Sequence, residues 1–329
     1  MRTPRAITAA LLTIPLLATA AACGGGGYGG GNGGGSGNGN GGYGGSNGGG
    51  NKGSLTISGQ NFPEATLVAD MYQQLLTKAG YNVTVKLVAT RDVYMAKGQF
   101  PGSVDVVPEY VGGIADFLNI QANGANAKSF ATGNLQATLA KTRKLAAKKG
   151  ITLLQPAQAT DQNAFFVTDK YANKYHLSTL SDLGHSGQSV TLAAAPDCKT
   201  RVDCGAGLEH AYGINITKYL PLGYASQQTY QSVIKGESQL GETSTTDATL
   251  KSQGLKLLTD DKHIQPVQNL IPAVSTTFLK AHPDIKQPLN KLMGVLTTSE
   301  LTKLNGKVGN QREKPADVAR AYLQSKGLL

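Results

Sequence analysis

The sequence predicts an α/β fold, and three observations predict it. Short apolar strands alternate with helical stretches, the first three elements read strand, helix, strand, and about 275 residues from Ser54 onward supply enough chain for two lobes. Leu55 to Ser58 reads as a short strand, with Gly59, Gln60, Asn61, Phe62 and Pro63 as the turn after it. From Glu64 the apolar residues Leu67, Val68, Met71, Leu75 and Ala79 recur at helical spacing until Gly80 supplies the stop. Val83, Val85 and Leu87 then alternate, which predicts a second strand and a parallel βαβ unit. Val104 to Val107 is an apolar strand ended by Pro108, Leu135 to Lys149 a helix, and Ile151 to Leu154 another strand. Phe165 to Thr168, Val190 to Ala194 and Leu255 to Leu258 predict further strands. The last part, from Ala273 to Leu329, reads as mostly helical, with breaks near Pro283, Pro288 and Gly309.

Ahead of this region, Arg2 and Arg5 precede an apolar run from Ala6 to Ala22, the layout of a secretory signal peptide over residues 1–22. The run falls short of the roughly 20 residues that span a bilayer comfortably, so a cleaved leader is expected in place of a membrane anchor. Ala20, Ala21 and Ala22 stand directly before Cys23, a pattern that resembles a bacterial lipobox. The resemblance implies that Cys23 carries lipid and holds the mature protein at the outer face of the cell membrane. Residues 23–53 are then a tether: from Gly24 to Gly53 the chain is almost entirely Gly, Asn and Ser, with nothing apolar to bury. Such a segment has a typical reach of about 30 Å. It also produces chance motifs, Gly44-Gly45-Ser46-Asn47-Gly48 as a nucleophile elbow and Gly37, Gly39 and Gly42 as a dinucleotide fingerprint. Neither has the preceding strand and following helix that the chemistry requires, and both are discarded.

The formal charge is +10, and removal of Arg2 and Arg5 with the leader leaves +8. The basic residues are scattered, and the densest stretch, Lys141, Arg143, Lys144, Lys148 and Lys149, lies on a predicted helix, which reads as a solvated face and excludes a nucleic-acid footprint. Besides Cys23 there are only Cys198 and Cys204, which in an oxidising compartment are expected to pair and close a small loop around Arg201. His176, His185, His210, His263 and His282 are dispersed without metal-ligand spacing, so no metal is expected. No spacing supplies an activated nucleophile or a general acid and base, and consecutive carboxylates such as Asp260 and Asp261 usually point apart. The chain is therefore expected not to be an enzyme and to carry no cofactor.

In open α/β sheets, ligands bind beyond the carboxyl ends of the strands. Here those segments are Ser58 to Phe62, Pro108 to Gly113, Asp161 to Asn163, Ala195 to Arg201 and Thr243 to Asp247. Read in order, they contain Gly59-Gln60-Asn61-Phe62 with Glu64, then Val107-Pro108-Glu109-Tyr110 with Gly112. Further on come Thr179-Leu180-Ser181-Asp182-Leu183, Gly207-Leu208-Glu209 with Ala211-Tyr212-Gly213, and Thr245-Thr246-Asp247. Asp260-Asp261-Lys262-His263 and the closing Pro315-Ala316-Asp317-Val318-Ala319 complete the set. From Leu55 to Leu329 the chain resembles the glycine betaine, carnitine and choline type of substrate-binding proteins of ABC importers.

That resemblance implies a two-lobed periplasmic-binding-protein fold of type II with two crossover strands. Residues 54–159 plus 262–329 would form one lobe and residues 160–261 the other. The lobes would close on a ligand by hinge motion. It implies an extracytoplasmic monomer that binds an osmoprotectant and partners with a membrane permease and an ATPase, without nucleic acid. In this family aromatic faces surround a quaternary ammonium group, each worth about 0.5 to 2 kcal/mol. Tyr110 matches one cage position, while the other three fall on Asn163, Ser244 and Gln268. Phe62, Phe165, Tyr224 and Tyr230 are the neighbouring aromatics able to replace them. Arg201 stands where the family binds a carboxylate, and Asp161 at a conformationally important acidic position. Gln60 stands where relatives carry lysine or glutamine, and Gly113 replaces a hydroxyl residue. The altered cage suits a polar zwitterion, an amino-acid-like solute or a polyol. The alternative function is a surface receptor or sensor that uses the same fold without transport.

Overall fold

The structure, a computed structural model, describes residues 52–329. The leader, Cys23 and the tether as far as residue 51 lie outside the described residues. Ten strands are found among the described residues: β1 (Ser54–Gln60), β2 (Asn82–Val88), β3 (Val106–Tyr110), β4 (Ile151–Leu153), β5 (Asn163–Thr168), β6 (Ser189–Ala194), β7 (Asn215–Pro221), β8 (Leu240–Ser244), β9 (Leu255–Leu258) and β10 (Leu270–Ser275). They form two five-stranded sheets, ordered β2-β1-β3-β10-β4 and β7-β6-β8-β5-β9.

The first sheet begins with the parallel pair β1 and β2, joined by the helix Pro63–Lys78. That helix buries Leu67, Val68, Met71 and Leu75 against the sheet, together with Leu289, Leu292, Leu301 and Leu323 from the C-terminal helices. The opposite face is covered by the helices Val111–Asn123 and Leu135–Lys148, whose Ile114, Leu118 and Leu139 pack on Val107 and Ile271. The second sheet has its own cores, one around Phe165, Leu180, Leu192 and Leu208 and another around Phe166, Tyr230 and Val233.

Two segments link the sheets, residues 154–162 on the way out and 259–269 on the way back. They pair where they pass each other: Thr160 bridges Asn269 antiparallel, and Asp161 N–H donates to the Gln268 carbonyl at 3.2 Å. β10 therefore re-enters antiparallel between β3 and β4. β8 runs antiparallel to β5, so its end at Ser244 lies beside Asn163, the first residue after the crossing. Parallel β6 ends on the same side. The carboxyl ends of β3, β6 and β8 thus converge on the crossing, which is where α/β sheets place ligands.

Four details differ from the sequence reading. β1 continues through Gly59 and Gln60, held in register by Leu87 and Val88 of β2. Pro108 lies inside β3 and does not end it, because it stands opposite Pro272 and past the β1 pairing at Ile57–Val106, so no ladder donor is lost. Pro272 in turn directs its carbonyl away, to Leu154 N–H. β10 occupies the start of the supposed helical tail, and the helices begin at Thr276. Pro288 falls in the first turn of the helix Lys286–Val295, where an N–H has no intrahelical partner, and breaks nothing.

Candidate functional site

On the first-sheet side the site is built around Tyr110, the last residue of β3 and N-cap of the helix Val111–Asn123. Its ring lies against that of Phe62, centroids 6.1 Å apart and planes 29° from parallel. Phe62 is held there as the extended N-cap before Pro63, which starts the helix Pro63–Lys78 with φ already set. The Tyr110 hydroxyl donates to Glu64 Oε1 at 2.6 Å, and Asn305 Nδ2, from the helix Thr298–Gly309, donates to Glu64 Oε2 at 2.6 Å. Burial pushes the Glu64 carboxyl up to about 7, and the Asp161 charge adds to the shift against hydrogen bonds from Tyr110, Asn305 and Thr246.

Behind Tyr110, Glu109 is buried and held by one edge of the Arg91 guanidinium, Nε to Oε1 at 3.0 Å and Nη2 to Oε2 at 3.0 Å. The Tyr94 hydroxyl and the Tyr110 N–H donate to the same carboxylate. Gly113 makes room for this pair, since a β-carbon there would lie 2.5 Å from Arg91 Nη2. A side chain at 113 would therefore have to displace the Arg91 guanidinium. A β-carbon at Gly112 would lie 2.5 Å from the Val267 carbonyl, so the returning segment passes directly over the helix start. Gln268 Oε1 accepts from Gly113 N–H at 3.1 Å and serves that start in place of a capping side chain.

The crossing supplies Asp161, half-buried, which accepts from Thr246 Oγ1 at 2.9 Å. Thr246 also meets Ser244 Oγ at 3.3 Å, so one hydroxyl pair ties the end of β8 to the crossing. Burial raises the Asp161 carboxyl above its ordinary range, against the Thr246 and Ser244 hydroxyls. Neither Glu64 nor Asp161 belongs to an ion pair among the described residues.

The second-sheet wall carries Asn163 and Arg201. The Cys198–Cys204 disulfide is formed and closes the loop that carries Arg201. Among the described residues these cysteines with Glu242 are the one group with metal-ligand proximity, and their sulfurs are bonded to each other. Arg201 meets the chain's own carboxylates: Nε and Nη2 donate to Asp203 at 2.9 and 2.8 Å, and Nη1 lies 3.7 Å from buried Glu242. Asn163 Nδ2 donates to the same Asp203 at 3.1 Å. The fork that the sequence assigns to a ligand carboxylate is already filled.

The structure therefore joins Gln268, Asp161, Ser244, Asn163 and Arg201 in one chain of contacts across the crossing, with Tyr110 linked through Glu64. Gln60 ends β1 beside Val88 on the first-sheet rim. Of the four compensating aromatics, Phe165 is in the second-sheet core, and Tyr230 packs on Phe166 with its hydroxyl on Asp247. Phe62 backs Tyr110. Tyr224 is exposed at 43 %, and burial of its hydroxyl together with the charges of Asp161 and Glu242 holds it above the ordinary tyrosine range, which places it near the second-sheet side of the crossing. Sequence reasoning passed over Glu64, Thr246 and Asn305 as site residues. Glu64 reads as an ordinary first-turn acid, and nothing in the chain around Asn305 marks it as that acid's partner.

The chain matches, over residues 53–325, the family described as the substrate binding domain of ABC-type glycine betaine transport system. It is 25% identical over 285 residues to a glycine-betaine-binding protein of Pseudomonas aeruginosa, covering 84% of this chain and 89% of that one. It is 26% identical over 274 residues to the glycine betaine-binding protein YehZ of Escherichia coli, covering 80% and 88%. Among solved structures, a glycine betaine/carnitine/choline ABC transporter protein superposes with a TM-score of 0.71 at 22% identity, over 83% of this chain and 99% of that one. Apo YehZ of Escherichia coli superposes with a TM-score of 0.69 at 25% identity, over 84% and 99%. No helix among the described residues is long and apolar enough to cross a membrane. With its two α/β sheets in the type II binding-protein arrangement, the chain belongs to the substrate-binding family of ABC-type glycine betaine importers, extracytoplasmic proteins that bind a small solute and work with a permease and an ATPase.

Proposed function

We propose that this chain captures a quaternary ammonium osmoprotectant, or a polar zwitterion of similar size, for import, while tethered to the membrane through lipid on Cys23. The observation that carries the reading is the aromatic pair Phe62 and Tyr110 set against carboxylates at the crossing of two sheets. A quaternary ammonium group accepts no hydrogen bond and donates none, so it is held by aromatic faces and by negative charge. Gln60, Tyr110, Asp161, Asn163, Arg201, Ser244 and Gln268 line the ligand cleft in this reading, with residues 54–159 and 262–329 closing on 160–261 about the crossing segments. Three cage positions without aromatics cost roughly 2 to 6 kcal/mol of cation–π attraction, of which Tyr224 restores one face.

Thermal denaturation of the purified protein with choline, glycine betaine, carnitine, proline, ectoine, amino acids and sugars tests the reading. A specific ligand at 100 times its Kd adds about 2.7 kcal/mol to stability, which appears as a rise in Tm. A quaternary ammonium compound is expected among the stabilising solutes. Stabilisation by a sugar alone overturns the assignment, and stabilisation by a primary amino acid alone overturns the quaternary ammonium reading in favour of the zwitterion.

A further inference from the structure

We propose that Glu64 is a specificity-determining positioning residue: with Asp161 it forms an acid pair that has no basic partner among the described residues beneath the aromatic wall, so that the cleft selects a net cation over a zwitterion and gives up a proton on taking it. The inference rests on the reading of the cleft as a quaternary-ammonium site.

Among the described residues, the groups that face the pair are acidic or neutral. Tyr110 from β3, Asn305 from the helix Thr298–Gly309 and Thr246 after β8 face Glu64, and Asp161 adds like charge. Asp161 faces Thr246 and Ser244 and feels Asp247. Lys303 and Lys307 share the helix of Asn305 but line an outer groove with Asp247, Lys251 and Thr302. Two desolvated carboxylates so placed require a compensating positive charge, and in the empty cleft a proton supplies it.

Asn305 is built for both states. Its Nδ2 donates to Glu64 Oε2, while its Oδ1 is buried without a partner. Turning the amide over presents that oxygen to a protonated Glu64, so either form of the acid finds a hydrogen bond. Glu64 itself is 5 % exposed and acts on a ligand through Tyr110: a phenol that donates to a carboxylate carries more negative charge on its ring, which strengthens attraction of a cation over that face. The opposite wall sharpens the preference. A ligand carboxylate that takes the Nε and Nη2 edge of Arg201 must displace Asp203, which then keeps the Asn163 amide and loses its cation.

The experiment is calorimetric titration of the purified protein with choline and with glycine betaine at pH 5.5, 7 and 8.5, each in two buffers of different ionisation enthalpy. Choline is expected to bind at least about tenfold tighter than glycine betaine at pH 8.5 and to release a proton near and below pH 7. Its affinity then falls by up to about tenfold per pH unit, the limit for one exchanged proton. Glu64→Gln, which keeps the shape and the Asn305 contact, is expected to flatten the pH dependence and remove the choline preference. Proton release by the unaltered protein tests the same point without a variant. Equal or tighter binding of glycine betaine, or choline binding without proton release, overturns this inference and leaves the cleft assignment standing. Failure of both solutes to bind at every pH overturns both.

Discussion

Two buried carboxylates flank Tyr110, and their surroundings differ in one respect. Glu109, 1 % exposed, is gripped by the Arg91 fork and the Tyr94 hydroxyl. Glu64, 5 % exposed, has Tyr110 and Asn305 as hydrogen-bond donors and no cation paired with it among the described residues. Hydrogen bonds alone do not offset the loss of water around a charge, whereas an adjacent guanidinium largely does. The first acid is thus a fixed brace that holds the end of β3 and the start of the next helix. The second is left with a charge that depends on pH and on what enters the cleft.

The largest effect should come from breaking the brace. Arg91→Ala leaves Glu109 buried and unpaired and is expected to lower unfolding stability by about 3 to 5 kcal/mol in denaturant titration, with or without ligand. The pH dependence of the unliganded protein comes next. The Glu64 carboxyl titrates at about 7 in the folded chain against an ordinary 4.5. The folded state therefore holds a proton that the unfolded chain has lost, and its stabilising effect is full below about 4.5 and disappears as pH rises through about 7. Asp161, also raised, acts in the same sense. Stability should fall by the order of 2 to 3 kcal/mol between pH 5 and pH 8, and Glu64→Gln should remove most of that fall. The smallest effect belongs to Asn305→Ala, which should cost about 1 to 2 kcal/mol at pH 8, where Glu64 is charged, and less at pH 5. An equal cost at both values would show that Asn305 supports the helix and not the charge.

Much of this was legible in the chain. The helix Pro63–Lys78 follows its apolar spacing to within a residue, and β5, β6 and β9 lie where short apolar runs place them. β7 and β8 escaped notice because Asn215–Pro221 alternates weakly and Leu240–Ser244 is mostly small and polar; both are defined by pairing with β6. β10 escaped because Pro272 argues against a central strand until Pro108 is seen opposite it. At the site, Tyr110 and Asp161 were expected from the family resemblance, and the structure places both beside the crossing, linked through Glu64. Arg201 was expected to await a ligand carboxylate, and the structure gives it Asp203, two residues away, a pairing that loop geometry decides.

The alternation of strands and helices, the disulfide pair and the family could be read along the chain, because periodicity, local turn chemistry and ordered motifs are properties of sequence neighbours. Which acids are compensated depends on contacts that the fold alone creates. Glu64 meets Asn305 across 241 positions, while Glu109 meets Arg91 across 18, and no local pattern distinguishes the two carboxylates before the fold sets one beside a guanidinium and the other beside an amide. Compensation of a buried charge depends on distance in space, and that distance is fixed by packing.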